Sequence, residues 1–526
     1  MIGHVTMTDH TIDPDALTMG AVRAGLFRDK PVTVLGLARS GSALARFLSD
    51  AGARVTVYDG RPAAELADAI GSLEGRAVTL ALGPDVDPAS TWSDAALVTT
   101  SPSINPDYPT TEPRLRAALA ALVAARARGD PRVPALVSEP DLFLRLCEAP
   151  TVGVTGTKGK TTTASLTAAV LAADPAHPVV LGGNIGIAIV ERLEELTSGH
   201  RVVYELSELQ LPTLSRGTTV AVYTNVTADH LDRHGSLEAY RSVKRRLAEL
   251  VDRDGALVLN AEDPVVAAYA PLGPAQTVLY RRDVPLPSGI GVVDGWIVAD
   301  GVARLPLAGV GTAAPESGRI MPLAELRVPG PHNVSNALAA VSVGLLFGLA
   351  REAIRAGAAT FVGVEHRLEQ VAVIDGVRFV NDSQGTQPDA VMAALRAFEP
   401  PVVLIAGGRD KGVDLDDLSA EVARRAAAAV VIGETGPDLE RRFRAAGLDR
   451  VERASSLEDA VERADALARE ALVRETEPGG GEPLPATVLL SPAAASFDMF
   501  PDYAARGRAF KQAVAALATD RAGRHR

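Results

Sequence analysis

Lys160, Thr161 and Thr162 stand at the end of a glycine-bearing run, TVGVTGTKGKTTTASLTAAVLAA (residues 151 to 173), and together they offer what a polyphosphate needs. A mobile ammonium such as Lys160 neutralises outer phosphates, and the hydroxyl of Thr161 suits the magnesium that accompanies a nucleotide. Gly156, Thr157, Lys158 and Gly159 make a turn whose backbone N–H groups converge on one spot. Such a turn works between a strand and a helix, and its flanks agree. Residues 151 to 154 are β-branched enough for a strand, and Leu166, Val170 and Leu171 recur at helical spacing after Lys160. The positive end of that helix would then face the phosphates. The strict pattern GxxxxGK[ST] is missed, because it wants glycine where the chain has Val154. The loop is a variant; a glycine turn of chance composition is the alternative, and Lys160 and Thr161 argue against it.

Two further groups fall where a parallel sheet would bring them to this loop. Glu205 ends the apolar run VVYE and His230 lies just past VAVYTNV. Ligands of open parallel sheets gather beyond the carboxyl ends of the strands, so Thr161, Glu205 and His230 form a candidate metal centre. A lone Glu or His is more often surface or satisfied core, and only convergence would distinguish the two. Near the N-terminus, GLARSG keeps Gly36 and Gly41 but has Ala38 where a dinucleotide fingerprint has its middle glycine. That disfavours a nicotinamide cofactor, although Asp59 still stands about 20 residues on, where an acid meets a nucleotide-linked hydroxyl. Three later strand ends, at Asp382, Gly407 and Ser491, are followed by small and polar residues, as at a substrate rim.

The elements that must position these groups alternate strand and helix throughout, which predicts α/β architecture. With 526 residues the chain exceeds one core, and the predicted division is a loosely ordered lead (1–20) and three domains, 21–148, 149–326 and 327–526. The first is Rossmann-like, with VTVLG, LARSGSALARFLSDAG and ARVTVYD as strand, helix and strand. The central one is an α/β domain of the P-loop ATPase kind, closing with a hairpin at Asp294–Gly295 and a loop, GTAAPESG. The third, also Rossmann-like, opens with a helix carrying His332, Asn333 and Asn336, and RETEPGGGEP (474 to 483) reads as a surface loop.

Composition narrows the function. A formal net charge of −12 and a pI near 5.4 argue against a nucleic-acid surface. The single Cys147 excludes an internal disulfide and a cysteine-rich metal site, and fits a reducing cytoplasm. The longest apolar run, residues 337 to 350, is shorter than the roughly 20 residues of a membrane span and reads as a buried helix. Asp9, Asp13 and Asp15 are unlike a signal peptide. A soluble cytoplasmic monomer with small-molecule partners is the expectation.

From about residue 31 to 515 the chain resembles the Mur ligases, through GTKGKTT, GGNIG, ELSELQL, TNVTADHLDRHGSLEAYRSVK, GPHNVSNALAA, EHRLEQV, VNDSQGTQPDA, AGGRDKG and LLSPAAASFDMFPDYAARGRAF, in family order. The resemblance implies a UDP-binding domain, an ATP-binding domain and a third that brings in an amino acid. It implies ATP-dependent addition of D-glutamate to UDP-N-acetylmuramoyl-L-alanine in peptidoglycan synthesis, through an acyl phosphate. Carried over by motif, Gly156 to Thr162, Asn333, Asn336, Arg367 and Asp382 would meet ATP, and Thr161, Glu205 and His230 would hold Mg2+. Lys244 matches the lysine the family carbamylates. Arg39, Ser40, Asp59, Arg61, Ser103, Asn184, Ser207 and Gln210 would meet the UDP substrate, and Thr386, Lys411, Ser496, Phe497 and Tyr503 the amino acid.

Two positions depart from the family. NDSQGTQ places Gln384 where NDSKATN has a lysine, and Glu208 replaces the second serine of ELSS. Gln384 opens the alternative that L-glutamate or another amino acid is the acceptor. The rivals are a folylpolyglutamate synthase, which lacks a UDP domain; an NAD-dependent oxidoreductase resting on GLARSG and Asp59; and a non-catalytic P-loop protein.

Overall fold

The alternation of strands and helices resolves into three sheets. The computed structural model describes residues 11 to 524 except 131, 186, 187, 230, 308–313, 329, 411, 412 and 476–484. Two compact units result, Met1–Phe361 and Val362–Arg526.

The first unit holds two sheets. One is fully parallel, in the order Val78–Leu82, Arg54–Asp59, Pro31–Leu35, Leu97–Thr100, Ala135–Ser138. Gly36, with φ 86°, turns the chain from Pro31–Leu35 into helix Arg39–Asp50. A Cβ on Gly41 would stand 1.7 Å from the carbonyl oxygen of Gly36, so both glycines serve the close approach of helix to strand. The lead differs from expectation over residues 11 to 20. Ile12, Leu17 and Met19 are buried, and Ile12 N donates to Ala96 O at 2.8 Å, because these three side chains cover the end of the sheet's core.

The second sheet has nine strands, with Thr151–Thr155 between Arg201–Glu205 and Val220–Tyr223. All three run parallel and are buried along their length, so Thr155, Glu205 and Tyr223 end at one edge. The predicted hairpin turns at Asp294 and Gly295, both at positive φ, and joins antiparallel strands Gly289–Val293 and Trp296–Val302. GTAAPESG is only partly a loop: Glu316–Pro322 forms the edge strand, while residues 311 to 313 lie outside the described residues.

Helix Pro331–Leu346, expected to open the third domain, packs instead on helix Lys160–Leu171. Its residues from Asn336 to Leu346 are buried, and a Cβ on Gly344 would come within 2.8 Å of Val170 Cγ1. The expected break at 326 therefore falls after Phe361, because an apolar helix must bury its face and the phosphate-loop helix supplies the partner.

The second unit is one six-stranded sheet, in the order Glu369–Ile374, Val377–Asn381, Ala486–Leu490, Val402–Gly407, Ala426–Ile432, Val451–Arg453. Only Glu369–Ile374 runs antiparallel. Among the described residues no helix is long and apolar enough to cross a membrane.

Gly41→Ala is expected to lower the melting temperature by several degrees, since a side chain forced against backbone costs about 1–3 kcal/mol. Circular dichroism melts check this, and an unchanged melt would show that helix and strand can separate freely.

Candidate active site

The phosphate loop is held from the neighbouring strand end. Gly156 has φ 145°, and a Cβ there would stand 2.0 Å from Thr224 Oγ1. Thr157 N donates to Asn225 O at 2.8 Å, and Lys158 N donates to Asn225 Oδ1 at 2.9 Å. Thr224 Oγ1 and Asn225 Nδ2 donate to Lys158 O at 2.6 and 2.9 Å. Thr157 Oγ1 pairs with the hydroxyl of Tyr240 at 3.0 Å. Gly159, at φ 85°, leads into helix Lys160–Leu171. A Cβ on Gly159 would come within 2.9 Å of Asn336 Oδ1, which also accepts from Thr163 Oγ1 at 3.0 Å. Asn336 Nδ2 in turn donates to Asn333 Oδ1, so both predicted asparagines do lie beside the loop. Thr161 is buried at the helix start and Thr162 half-buried. Lys160 folds its ammonium back onto the carbonyls of Gly156 and Thr157, at 3.0 and 2.9 Å. Thr224, Asn225 and Tyr240 are not among the expected site residues; the signal for Thr224 and Asn225 is the polar TNVT segment directly after strand Val220–Tyr223, and Tyr240 stands one helical turn before Lys244.

Lys244 and Glu205 converge on the same edge. Lys244 Nζ is fully buried and donates to Gly156 O at 3.0 Å and Thr155 Oγ1 at 3.3 Å. Burial, and then the charge of Lys160, push its ammonium down to about 7, against the pull of Glu208, Asp229 and Glu205. Glu205 is buried as well; its Oε1 accepts from Asn184 Nδ2 at 3.0 Å, and its Oε2 has no hydrogen-bond partner among the described residues. An unsatisfied carboxylate oxygen in so dry a place is costly unless a cation meets it, so Glu205 and Thr161 fit a magnesium site. His230, the third expected ligand, lies outside the described residues. Glu208 acquires a physical account: it is buried, its Oε1 accepts from Arg233 NH1 at 2.8 Å, and its carbonyl and that of Leu209 accept from Tyr108 OH.

The residues expected at the nucleotide-sugar end are brought together only in part. Asp59 and Arg61 form one group: Asp59 accepts from Leu37 N, Arg61 N and the Arg61 guanidinium at 2.8 to 3.0 Å. Burial pushes the Asp59 carboxyl up, but these bonds outweigh it and hold it below the usual range. An open cleft of about 280 Å³ is lined by Leu37, Arg61, Glu65 and Asp68. Arg39 reaches Gly183 O at 3.4 Å, beside Asn184. Ser103 Oγ meets Ser101 Oγ, and Ser207 donates through N and Oγ to Gln210 Oε1. Ser40 is half-buried at the start of helix Arg39–Asp50.

In the second unit the three predicted strand ends form one rim. Asp382 is buried, accepts from Ser491 Oγ at 2.6 Å and Leu368 N at 3.2 Å, and burial pushes its carboxyl up to about 6 against those bonds and the charge of Arg367. Gly407 N donates to Pro492 O and Ala493 N to Gly385 O, tying the turns together. Thr386 is half-buried, Ser496 buried, and Phe497 and Tyr503 exposed, with Tyr503 OH accepting from Gln384 Nε2 at 3.3 Å. Lys411 lies outside the described residues.

Lys244 sets a pH dependence. Unfolded, it holds its proton up to about 10.5; folded, it releases it near 7. Between those values the unfolded chain binds more protons, so stability rises with pH, and the burial penalty is full below 7. The stability advantage of Lys244→Met over the parent, measured by urea denaturation in CO2-free buffer, should therefore shrink by roughly 1–4 kcal/mol from pH 7 to 10. A pH-independent difference would mean that the lysine is buried charged.

The Mur ligase middle domain matches residues 154–344, and the Mur ligase glutamate ligase domain matches residues 366–473. The chain is 38% identical to a UDP-N-acetylmuramoylalanine--D-glutamate ligase of Symbiobacterium thermophilum, over 94% of this chain and 100% of that one. It is 36% identical to the enzyme of the same name from Desulfitobacterium hafniense strain Y51, over 92% and 97%, and 37% identical to that of Geotalea uraniireducens, over 94% and 99%. Matched along nearly its whole length, with the glycine turn, Lys160, Glu205 and Lys244 gathered at one sheet edge, the chain belongs to the Mur ligase family.

Proposed function

We propose that this protein joins D-glutamate to the alanyl carboxylate of UDP-N-acetylmuramoyl-L-alanine with hydrolysis of ATP to ADP and phosphate, as a cytoplasmic monomer in peptidoglycan synthesis. The single observation that carries the ATP-dependent chemistry is the braced loop from Gly156 to Lys160 with two lysines and an unsatisfied carboxylate at its mouth. A carboxylate is a poor electrophile, since its charge repels nucleophiles and it lacks a leaving group. Phosphorylation to an acyl phosphate removes both obstacles, and the amine of glutamate then forms the amide and expels phosphate.

The start of the helix, from Gly159 to Thr161, cradles the triphosphate with Thr162 alongside, while the N–H groups of Thr157 and Lys158, bonded to Asn225, hold the loop in shape. Lys160 leaves the two carbonyls it now bonds and neutralises charge on the transferring phosphoryl group. Thr161, Glu205 and His230 would hold magnesium, which when bound supplies further positive charge to the same oxygens. Asn333 and Asn336 keep the loop in place, while Arg367 and Asp382 act on the nucleotide. Arg61, ordered by Asp59, binds the UDP moiety with Arg39, Ser40 and Ser103; Asn184, Ser207 and Gln210 serve the muramoyl-alanine end. Thr386, Lys411, Ser496, Phe497 and Tyr503 receive the amino acid.

Lys244 is carbamylated in this reading: with its amine half neutral near pH 7, nitrogen adds to CO2, a proton leaves, and a cation becomes an anion suited to magnesium. The second reading, a different amino acid, is favoured by one observation, the neutral Gln384 on the rim.

Phosphate release with ATP, magnesium and UDP-N-acetylmuramoyl-L-alanine should require D-glutamate, with L-glutamate and other amino acids in parallel wells near background. Release with L-glutamate alone would transfer the chain to the second reading. Lys160→Ala should reduce kcat at least about 100-fold with an unchanged melt; near-normal turnover would remove the loop from the chemistry. With 13C-bicarbonate, the protein should show a carbamate carbon resonance that Lys244→Met lacks, and its absence from the parent protein would refute carbamylation.

A further inference from the structure

Glu208 stands where the chain departs from the ELSS motif, and it is only 6% exposed. Its Oε1 accepts from NH1 of the half-buried Arg233 at 2.8 Å, a charge match that a serine could not make. The two partners come from different strand ends. Glu208 lies three residues past Glu205, in the turn after strand Arg201–Glu205, and Arg233 belongs to helix Leu231–His234, which begins directly after position 230. Each partner is therefore three residues from an expected magnesium ligand.

Helix Leu231–His234 is a single turn. So short a helix closes too few backbone bonds to hold itself, and its place is set by what its side chains meet. On one side Arg233 meets Glu208; on the other the His234 ring lies edge-on to Tyr240, with centroids 5.5 Å apart, and Tyr240 OH pairs with Thr157 Oγ1 of the phosphate loop. The turn that bears Glu208 is held by bonds of its own. Thr155 Oγ1 donates to Leu206 O at 2.8 Å, Ser207 donates through N and Oγ to Gln210 Oε1, and Tyr108 OH donates to the carbonyls of Glu208 and Leu209. The carboxylate is thus the fixed partner, and the one-turn helix is the element it places. The pair also borders the metal edge of the sheet. Lys244, whose ammonium burial pushes down, is pulled back by Glu208 more than by Asp229 or Glu205.

We propose that Glu208 is a positioning residue of the magnesium centre: through its ion pair with Arg233 it sets the segment that carries His230 against the turn that follows Glu205. This rests on the reading of Glu205 and His230 as magnesium ligands. A buried ion pair suits the task, because any other placement of the helix would leave two charges without partners in a dry environment. The pair is neutral as a whole, so it orders the site without adding to the charge a nucleotide meets.

The test is binding of Mn2+ alone to the full-length protein, read as enhancement of water-proton relaxation. It compares the parent, E208Q, R233M, the double variant E208Q/R233M, Y108F and E205Q, with a melting curve for each. E208Q and R233M should each weaken Mn2+ binding about tenfold or more, in the same direction although they remove charges of opposite sign. The double variant should be no weaker than the weaker single one, since the same contact is lost in all three. Y108F, which loosens the same turn and leaves the pair intact, should bind Mn2+ as the parent does. Opposite shifts, weaker in E208Q and tighter in R233M, would overturn the proposal, because they report charge alone. Unchanged Mn2+ affinity with lowered melting temperatures would overturn it too, as would a Y108F as weak as E208Q. Where a single variant fails to fold because a buried charge is left unpaired, the double variant, with no charge at either position, decides, and parent-like affinity there overturns the proposal. A parent that binds no Mn2+, or an E205Q that binds it as the parent does, would instead refute the assignment of the magnesium ligands, so the two failures are separable.

Discussion

Gly156 lies against Thr224 and Asn225 so closely that no side chain fits between them, and this contact decides where the loop's amides point. Asn225 accepts from Lys158 N through one amide atom and donates to Lys158 O through the other, so a single side chain completes the backbone of an irregular turn. Without that brace the glycines would be free to wander, and a cradle for a polyphosphate works only if its N–H groups are already aligned. Gly159 is braced from the other side by Asn336. The loop is thus clamped between a strand end and a helix that the chain reaches some 110 residues later, the difference between 225 and 336.

The same clamp explains the boundary of the first unit. Helix Pro331–Leu346 belongs with the phosphate loop because its apolar face is buried on Lys160–Leu171 and because Asn336, where its burial begins, is bonded to Thr163. Packing and site geometry are one arrangement there. Lys244 shows the corresponding cost: an amine with its nitrogen on Gly156 O and Thr155 Oγ1 contributes to the site only by giving up much of its charge.

Much of the site was legible because it is local. The turn after Thr151–Thr155, the lysine and threonines that follow, and the polar residues after Val377–Asn381 are contiguous, and strand-then-turn-then-helix spacing leaves little choice about their place. Glu205 was legible as a strand end converging on the loop and Lys244 through motif likeness, but the bond of Lys244 to Gly156 was not, since it joins residues far apart in the chain. Two expectations failed for one reason. The lead from residue 11 and the helix from 331 both looked like beginnings, and both turned out to be coverings of a core formed elsewhere.

By itself the sequence determined the alternation of strand and helix, the glycine turn, and which residues stand at strand ends, since each follows from side-chain period and backbone preference within a few residues. It also determined family membership, through motifs kept in order along nearly the whole chain. Only the tertiary structure decided that Glu205 keeps one oxygen without a partner among the described residues, and that Glu208 is matched by Arg233. The reason is physical: hydrogen bonding and desolvation are set by what surrounds an atom in space, and the neighbours that surround these groups come from distant segments.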